Sequence, residues 1–189
     1  MTARPTRMPP IPDAEMTEAQ KAAARDIISG PRGHLVGPFI PLLRSPDFMT
    51  RLQKTGEYLR FNSALEPRRS EMVILMTARL WTQSFEWHHH RPIAEKVGLS
   101  AEIIDAIAEG RRPAKMAADE AAIYDFVDEL SRIRSVSDAT YKRAVEQFGE
   151  RGVIDMIGIH GYYSLLAMIL NVARAPLPDG ARPGIDPLP

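Results

Sequence analysis

The segment from about Arg151 to Arg174 constrains this chain most, because it is apolar over most of its circumference. A helix with no polar face to give to water must be enclosed by other helices or by lipid. Asp155, His160 and Asn171 interrupt its most hydrophobic part, Val153 to Ala173. A charge at the centre of a bilayer costs about 2.5–3.5 kcal/mol on insertion scales. The segment is therefore expected to be the core helix of a bundle, not a membrane span.

The rest of the chain supplies helices to surround it. Thr17 reads as the N-cap of a helix through Ile28 that ends at Gly30. Gly37 to Leu43 is apolar but broken by prolines, and Asp47 to Phe61 carries Phe48, Leu52, Tyr58 and Leu59 at loosely helical spacing. Pro67 suits the first turn of a helix with Met72, Val73, Met76 and Leu80 as its apolar stripe. A helix beginning near residue 84 runs to Gly98, and Ser100 leads into a short one over Ile103–Glu109. Asp119–Ile133 and a helix from Ser137 to Phe148, stopped by Gly149, complete the set. No alternating strand pattern with hairpin turns appears, so the class is all-α. Residues 1–16 form a proline-rich arm expected to be flexible, 17–175 one helical domain, and 176–189 a proline-rich tail.

Composition excludes several functions. Twenty-four basic and twenty-four acidic residues cancel, so the basic footprint of a nucleic-acid binder is missing. Neutrality also weakens repulsion between copies, which suits self-association. There is no cysteine, and with it go disulfides, thiolate metal sites and thiol-based redox chemistry. No apolar run stands near the N-terminus, so no signal peptide is expected and the protein is placed in the cytoplasm. No membrane partner is expected.

Chemistry concentrates in Trp81–His90, which holds both tryptophans and three of the five histidines. At about 100° per residue, Gln83, Glu86 and His90 fall within roughly a 60° arc. Arg79, Ala94 and Val97 continue that stripe, whereas His88 points nearly the opposite way and His89 to the side. A carboxylate one turn from an imidazole orients it, fixes its tautomer and raises its pKa, which makes a general acid/base pair if a pocket adjoins it. A self-satisfied buried pair is the plainer alternative. A metal set of Glu86, His90 and His160 is a third reading, but no HExxH arrangement supports it, and His160 in an apolar helix is more often a satisfied core histidine. His34, in a glycine-rich loop, carries no signal.

The run Arg69-Ser70-Glu71 … Ala78-Arg79 … Gln83-Ser84-Phe85-Glu86-Trp87-His88-His89-His90, followed by Ala94-Glu95-Lys96-Val97-Gly98-Leu99-Ser100, resembles the carboxymuconolactone decarboxylase / alkylhydroperoxidase D family. Redox members of that family carry a glutamate, then twelve residues later Cys-x-x-Cys-x-x-x-His, then Ala and Gly-Leu-Ser at fixed offsets. Glu71 matches the glutamate and His90 the histidine, while Gln83 and Glu86 occupy the two cysteine positions. The motif block spans about residues 67–110. The resemblance implies an AhpD-like helical bundle assembled as a homo-oligomer, with trimers or their multiples familiar in such proteins.

Without the thiols a peroxidase is not expected, and the cysteine-free branch resembles the cofactor-free lyase 4-carboxymuconolactone decarboxylase. The implied chemistry is loss of carbon dioxide from a small carbonyl-bearing acid or lactone bound near the start of the helix from residue 84. His90, oriented by Glu86, protonates carbon; Glu71 completes the relay and Gln83 donates a hydrogen bond to the enolate. Arg60 or Arg79 holds the substrate carboxylate, Trp81 or Trp87 forms the pocket wall, and His160 is a further candidate for binding. If Glu71 and Glu86 meet, one pKa should rise. Pro92 removes a backbone bond to the His88 carbonyl and is expected to kink the helix. The alternatives are a non-catalytic oligomeric binding protein on the same scaffold, and the metal enzyme above.

Overall fold

Thr17 opens the first helix, its hydroxyl accepting from the Gln20 N–H while the Gln20 side chain accepts from the Thr17 N–H. This reciprocal box satisfies two donors that a helix start leaves free. The computed structural model describes residues 5–178 and 180–187. The ends of the arm (residues 1–4) and parts of the tail (residue 179, residues 188 and 189) lie outside the described residues. After a 3-10 turn at Asp13–Glu15 come eight α-helices and, among the described residues, no strand. They are α1 (Glu18–Ser29), α2 (Phe39–Leu42), α3 (Pro46–Phe61), α4 (Pro67–Leu80), α5 (Ser84–Lys96), α6 (Ala101–Ala108), α7 (Ala118–Ile133) and α8 (Asp138–Ala173).

The all-α expectation holds, and most boundaries fall where caps and prolines put them. Ser100 caps α6 through the Ile103 N–H, starting that helix two residues before the expected Ile103. Gly149, at φ +66°, breaks α8 where two separate helices were expected; only glycine enters that region without strain. Pro92 lies inside α5, yet the helix continues through it to Lys96.

The centre of the bundle is α4, not the C-terminal helix. Every residue from Ser70 to Arg79 is buried, because α5, α6, α7 and α8 surround it. The apolar half of α8 is only partly covered: Ile154, Ile157, Met168 and Val172 face outward, with Ile154 65% exposed. Hydrophobicity alone did not separate a helix enclosed on all sides from one that leaves an apolar face open.

The described parts of the arm and the tail touch the bundle. In the arm, the Thr6 hydroxyl and the Arg7 N–H both donate to the Ala173 carbonyl at the end of α8. In the tail, Ile185 is buried in the core, and the Arg79 guanidinium donates to the Asp186 carbonyl at 2.6 Å.

Close approach of α3 to α8 depends on Gly56. A Cβ there would stand 2.1 Å from the Tyr162 hydroxyl and 2.2 Å from its ring carbon. Tyr162 is 5% exposed and belongs to the core. Gly56→Ala would gain about 1 kcal/mol of helix propensity but meets overpacking of about 1–3 kcal/mol. A net loss of stability is expected, read as a lower urea midpoint at unchanged slope.

Candidate active site

α4 and α5 form a tight antiparallel hairpin that places the acid/base groups face to face. The turn over residues 81–83 is fixed at both ends. Trp81, Thr82 and Gln83 donate their N–H groups to the last carbonyls of α4, and Thr82 takes φ +46°. Asn171 of α8 donates to the Trp81 carbonyl and accepts from the Gln83 amide. Gln83 is the N-cap of α5, its side-chain oxygen accepting from the Phe85 N–H at 2.6 Å. With the turn held, residues on either side of it pair across the hairpin, and Glu71 meets His90.

His90 Nδ1 lies 2.7 Å from Glu71 Oε2, and His90 Nε2 lies 3.5 Å from Glu86 Oε2. All three side chains are buried, His90 to 2% exposure. The contact with Glu71 fixes the orientation of the ring and points Nε2 at Glu86. Sequence spacing pointed to Glu86 as the orienting carboxylate; in space Glu71 makes the shorter contact, from the neighbouring helix. Tyr163 of α8 closes the other side of the imidazole, ring edge to ring face with centroids 5.0 Å apart.

Burial, the largest effect, pushes the Glu86 carboxyl pKa up, and nearby Glu71 adds to the rise. His90, Arg60 and Arg32 oppose it without cancelling it. Glu86 Oε1 is buried with no hydrogen-bond partner among the described residues, which suits a neutral carboxyl better than a carboxylate. A carboxyl whose folded pKa is raised binds more protons folded than unfolded, so stability falls as pH rises above its ordinary value of 4.5. Glu86→Gln removes that penalty. The variant is expected to gain stability over the parent above pH 4.5 and to lose the advantage below it, which thermal unfolding across pH checks.

A cleft of about 170 Å³ opens on this group. Glu86, His90 and Tyr163 line it together with Arg60, Phe61, Phe85 and His89, and with Arg32 and His34 of the loop between α1 and α2. The volume is well below the ~300–1,000 Å³ of drug-sized sites. His89 stands beside Phe85, their rings 7° from parallel. Burial, with the charge of neighbouring histidines and Arg60, pulls its pKa down to about 3, so its imidazole is neutral at physiological pH.

The other residues singled out from the sequence are placed elsewhere. The Arg79 guanidinium is taken up by the Asp186 and Ala108 carbonyls and the Thr82 hydroxyl. Gln83 is committed to Phe85 and Asn171. Trp81 is half-buried at the hairpin turn and does not line the cleft. Trp87 is fully buried on another face of α5, against Gly184. His160 Nδ1 lies 2.9 Å from the Thr77 hydroxyl, a core histidine whose pKa burial lowers. The set Glu86, His90 and His160 is therefore not assembled, and among the described residues no three His, Asp or Glu side chains are grouped as a metal needs.

Sequence reasoning missed four polar cleft residues: Arg32, His34, His89 and Tyr163. Arg32 and His34 belong to a loop that no local pattern directs to α5. A wheel that sent His89 sideways had no way to know that a loop covers that side.

Residues 46–129 match the carboxymuconolactone decarboxylase family. Three solved structures share the fold. A peroxidase-related protein with an alkylhydroperoxidase AhpD core, from Ralstonia eutropha JMP134, superposes with a TM-score of 0.73 at 17% identity, over 94% of this chain and 95% of that one. The debrominase Bmp8, as a cysteine-to-alanine variant in complex with 2,3,4-tribromopyrrole, gives 0.72 at 11% identity over 94% of each chain. An Agrobacterium tumefaciens protein of unknown function, related by its description to the antioxidant defence protein AhpD, gives 0.64 at 18% identity over 72% of this chain and 94% of that one. No curated protein matches the chain. At these identities the likeness is one of fold, and it bears out the AhpD-like bundle.

Proposed function

We propose that this protein, whose residues 46–129 match the carboxymuconolactone decarboxylase family, is a cofactor-free acid/base enzyme acting on a small carbonyl-bearing acid or lactone. The observation that carries the reading is the buried row Glu71–His90–Glu86 opening into a cleft edged by Arg60. His90 is the proton carrier. Glu71 holds its Nδ1 and stabilises the imidazolium as it forms, so Nε2 can take or give a proton on the cleft side. Glu86, biased toward its neutral form, stands where it can resupply that proton.

In a decarboxylation the bond from the α-carbon to the carboxylate breaks, and its electron pair passes into the conjugated carbonyl as an enolate. Carbon dioxide leaves, and His90 delivers a proton to the carbon. Burial of the site strengthens each of these interactions by excluding water. With no cysteine in the chain, thiol-dependent peroxide reduction is not part of this reading.

Self-association belongs to the same proposal. Ile154, Ile157, Met168 and Val172 lie along one side of α8 and leave an apolar stripe that a second copy would cover. A trimer or a multiple of it is the expected state, to be read by light scattering.

The experiment is a screen of small lactones and β-keto acids for carbon dioxide release, ring opening or isomerisation, with His90→Ala as the control. A substrate turned over equally fast by the control removes His90 from the mechanism. Clean binding with no turnover favours the non-catalytic binding protein on this scaffold.

A further inference from the structure

We propose that Arg32, which neither the family match nor the sequence motif assigns, is the principal ligand for a carboxylate in the cleft, acting with Arg60 as a two-guanidinium clamp.

The two arginines come from different parts of the chain and converge on one face of α3. Arg60 is four residues, one helical turn, beyond Gly56. The Arg32 Nη2 lies so near Gly56 that a Cβ there would stand 2.7 Å from it. Both side chains line the cleft that Glu86 and His90 also line. Among the described residues the only acidic one lining that cleft is Glu86, whose own environment favours its uncharged form. A chain with no net charge thus gathers two positive groups where the acid/base row opens.

Arg32 is held in place but poorly satisfied. Its guanidinium lies 4.9 Å above the Phe39 ring, which fixes its plane. Of five N–H donors on a guanidinium, the described contacts use one, a long 3.4 Å bond to the Tyr162 hydroxyl. Its Nε is buried with no acceptor among the described residues. Neither Arg32 nor Arg60 has a carboxylate within ion-pair distance among the described residues, whereas Arg68 and Arg69 are tied to Asp119 and Arg68 also to Glu120. A planar, pre-oriented fork with unused donors matches a carboxylate, which it binds through two parallel N–H···O bonds. Phe39, Phe61 and Phe85 give the remaining wall an apolar, aromatic character. The ligand class is therefore a small organic monoanion whose carboxylate meets Arg32 and whose apolar or carbonyl end reaches toward His90.

This inference rests on reading the cleft as a small-acid site, but not on turnover, so the two fail separately. The test is calorimetric titration of the full chain with benzoate and with benzamide, its uncharged counterpart, in low-salt buffer. Benzoate is expected to bind, benzamide to bind at least tenfold more weakly, and Arg32→Gln to weaken benzoate at least tenfold. Arg32→Lys, which keeps the charge but loses the fork, should fall between. Arg111→Gln, outside the cleft, should match the parent. Equal affinity for benzoate and benzamide, no binding of benzoate, or unchanged benzoate affinity in both Arg32 variants would overturn the proposal. Benzoate binding that depends on Arg32, in a protein that turns over no acid or lactone, leaves the clamp standing and removes only the enzyme.

Discussion

Replacing His90 with glutamine is expected to lower kcat on any substrate that the protein turns over by about 10²–10⁴-fold, the usual contribution of a positioned acid/base group. Glutamine keeps a polar side chain in the space but can neither take up nor release the proton that an imidazole transfers. KM should move little, because the carboxylate anchor lies on Arg60 and the loop before α2 rather than on the imidazole. Glu71→Gln should also act on kcat. Glutamine can still occupy the position 2.7 Å from Nδ1 but no longer stabilises an imidazolium there, so a loss approaching that of the His90 variant is expected. If the two residues act as a unit, the double variant is barely worse than either single one. Independent, additive losses would break the pairing on which the mechanism depends. A Glu71 variant with full activity would reduce the 2.7 Å contact to a structural one.

These expectations could be written largely from the sequence, and the reason is local. Glu86 and His90 lie one turn apart on a single helix, so their juxtaposition needs only helical geometry. The caps at Thr17, Ser100 and Ser137 and the start of α4 at Pro67 were legible for the same reason, since each is decided within four residues. Glu71 needed more: its place opposite His90 depends on a tight turn over residues 81–83, and its fixed offset from the histidine in related sequences stood in for that knowledge. Where the answer depended on packing between distant segments, periodicity gave none. Arg32 reaches the cleft because α1 ends at Gly30 and the following loop folds back over α5. There, Gly37 at φ +58° lets the backbone come so close to Phe85 that a Cβ would stand 2.4 Å from the ring. Arg79 was read as a ligand for substrate because its charge lay on the stripe of Glu86. In the fold it belongs to the helix before the turn, and its donors serve the turn and the tail.

Trp87 marks the same boundary most sharply, and its replacement by alanine should produce the largest loss of stability of any change considered. On the sequence it neighbours Glu86 and reads equally well as pocket wall or as core. In the fold one residue along α5 is about 100° of rotation, which turns the indole away from the cleft to full burial, where Gly184 lies against it. A Cβ on Gly184 would stand 2.6 Å from the indole Cδ1, so the tail closes over the ring without slack. Truncating a buried tryptophan to alanine costs about 3–5 kcal/mol, the sum of lost transfer energy and the cavity left behind. For a chain of this size that lowers Tm by on the order of 10 °C. Ile185 should loosen with it, because its neighbour Gly184 loses the surface it covers. Trp87→Phe, which refills part of the volume and leaves no indole N–H without an acceptor, should recover much of the loss. Both variants, assayed below their melting temperatures, should bind benzoate like the parent, since the indole does not line the cleft. A pocket-wall tryptophan would give the reverse result, with stability nearly unchanged and affinity lost. Urea unfolding and calorimetry on the same two proteins separate these outcomes.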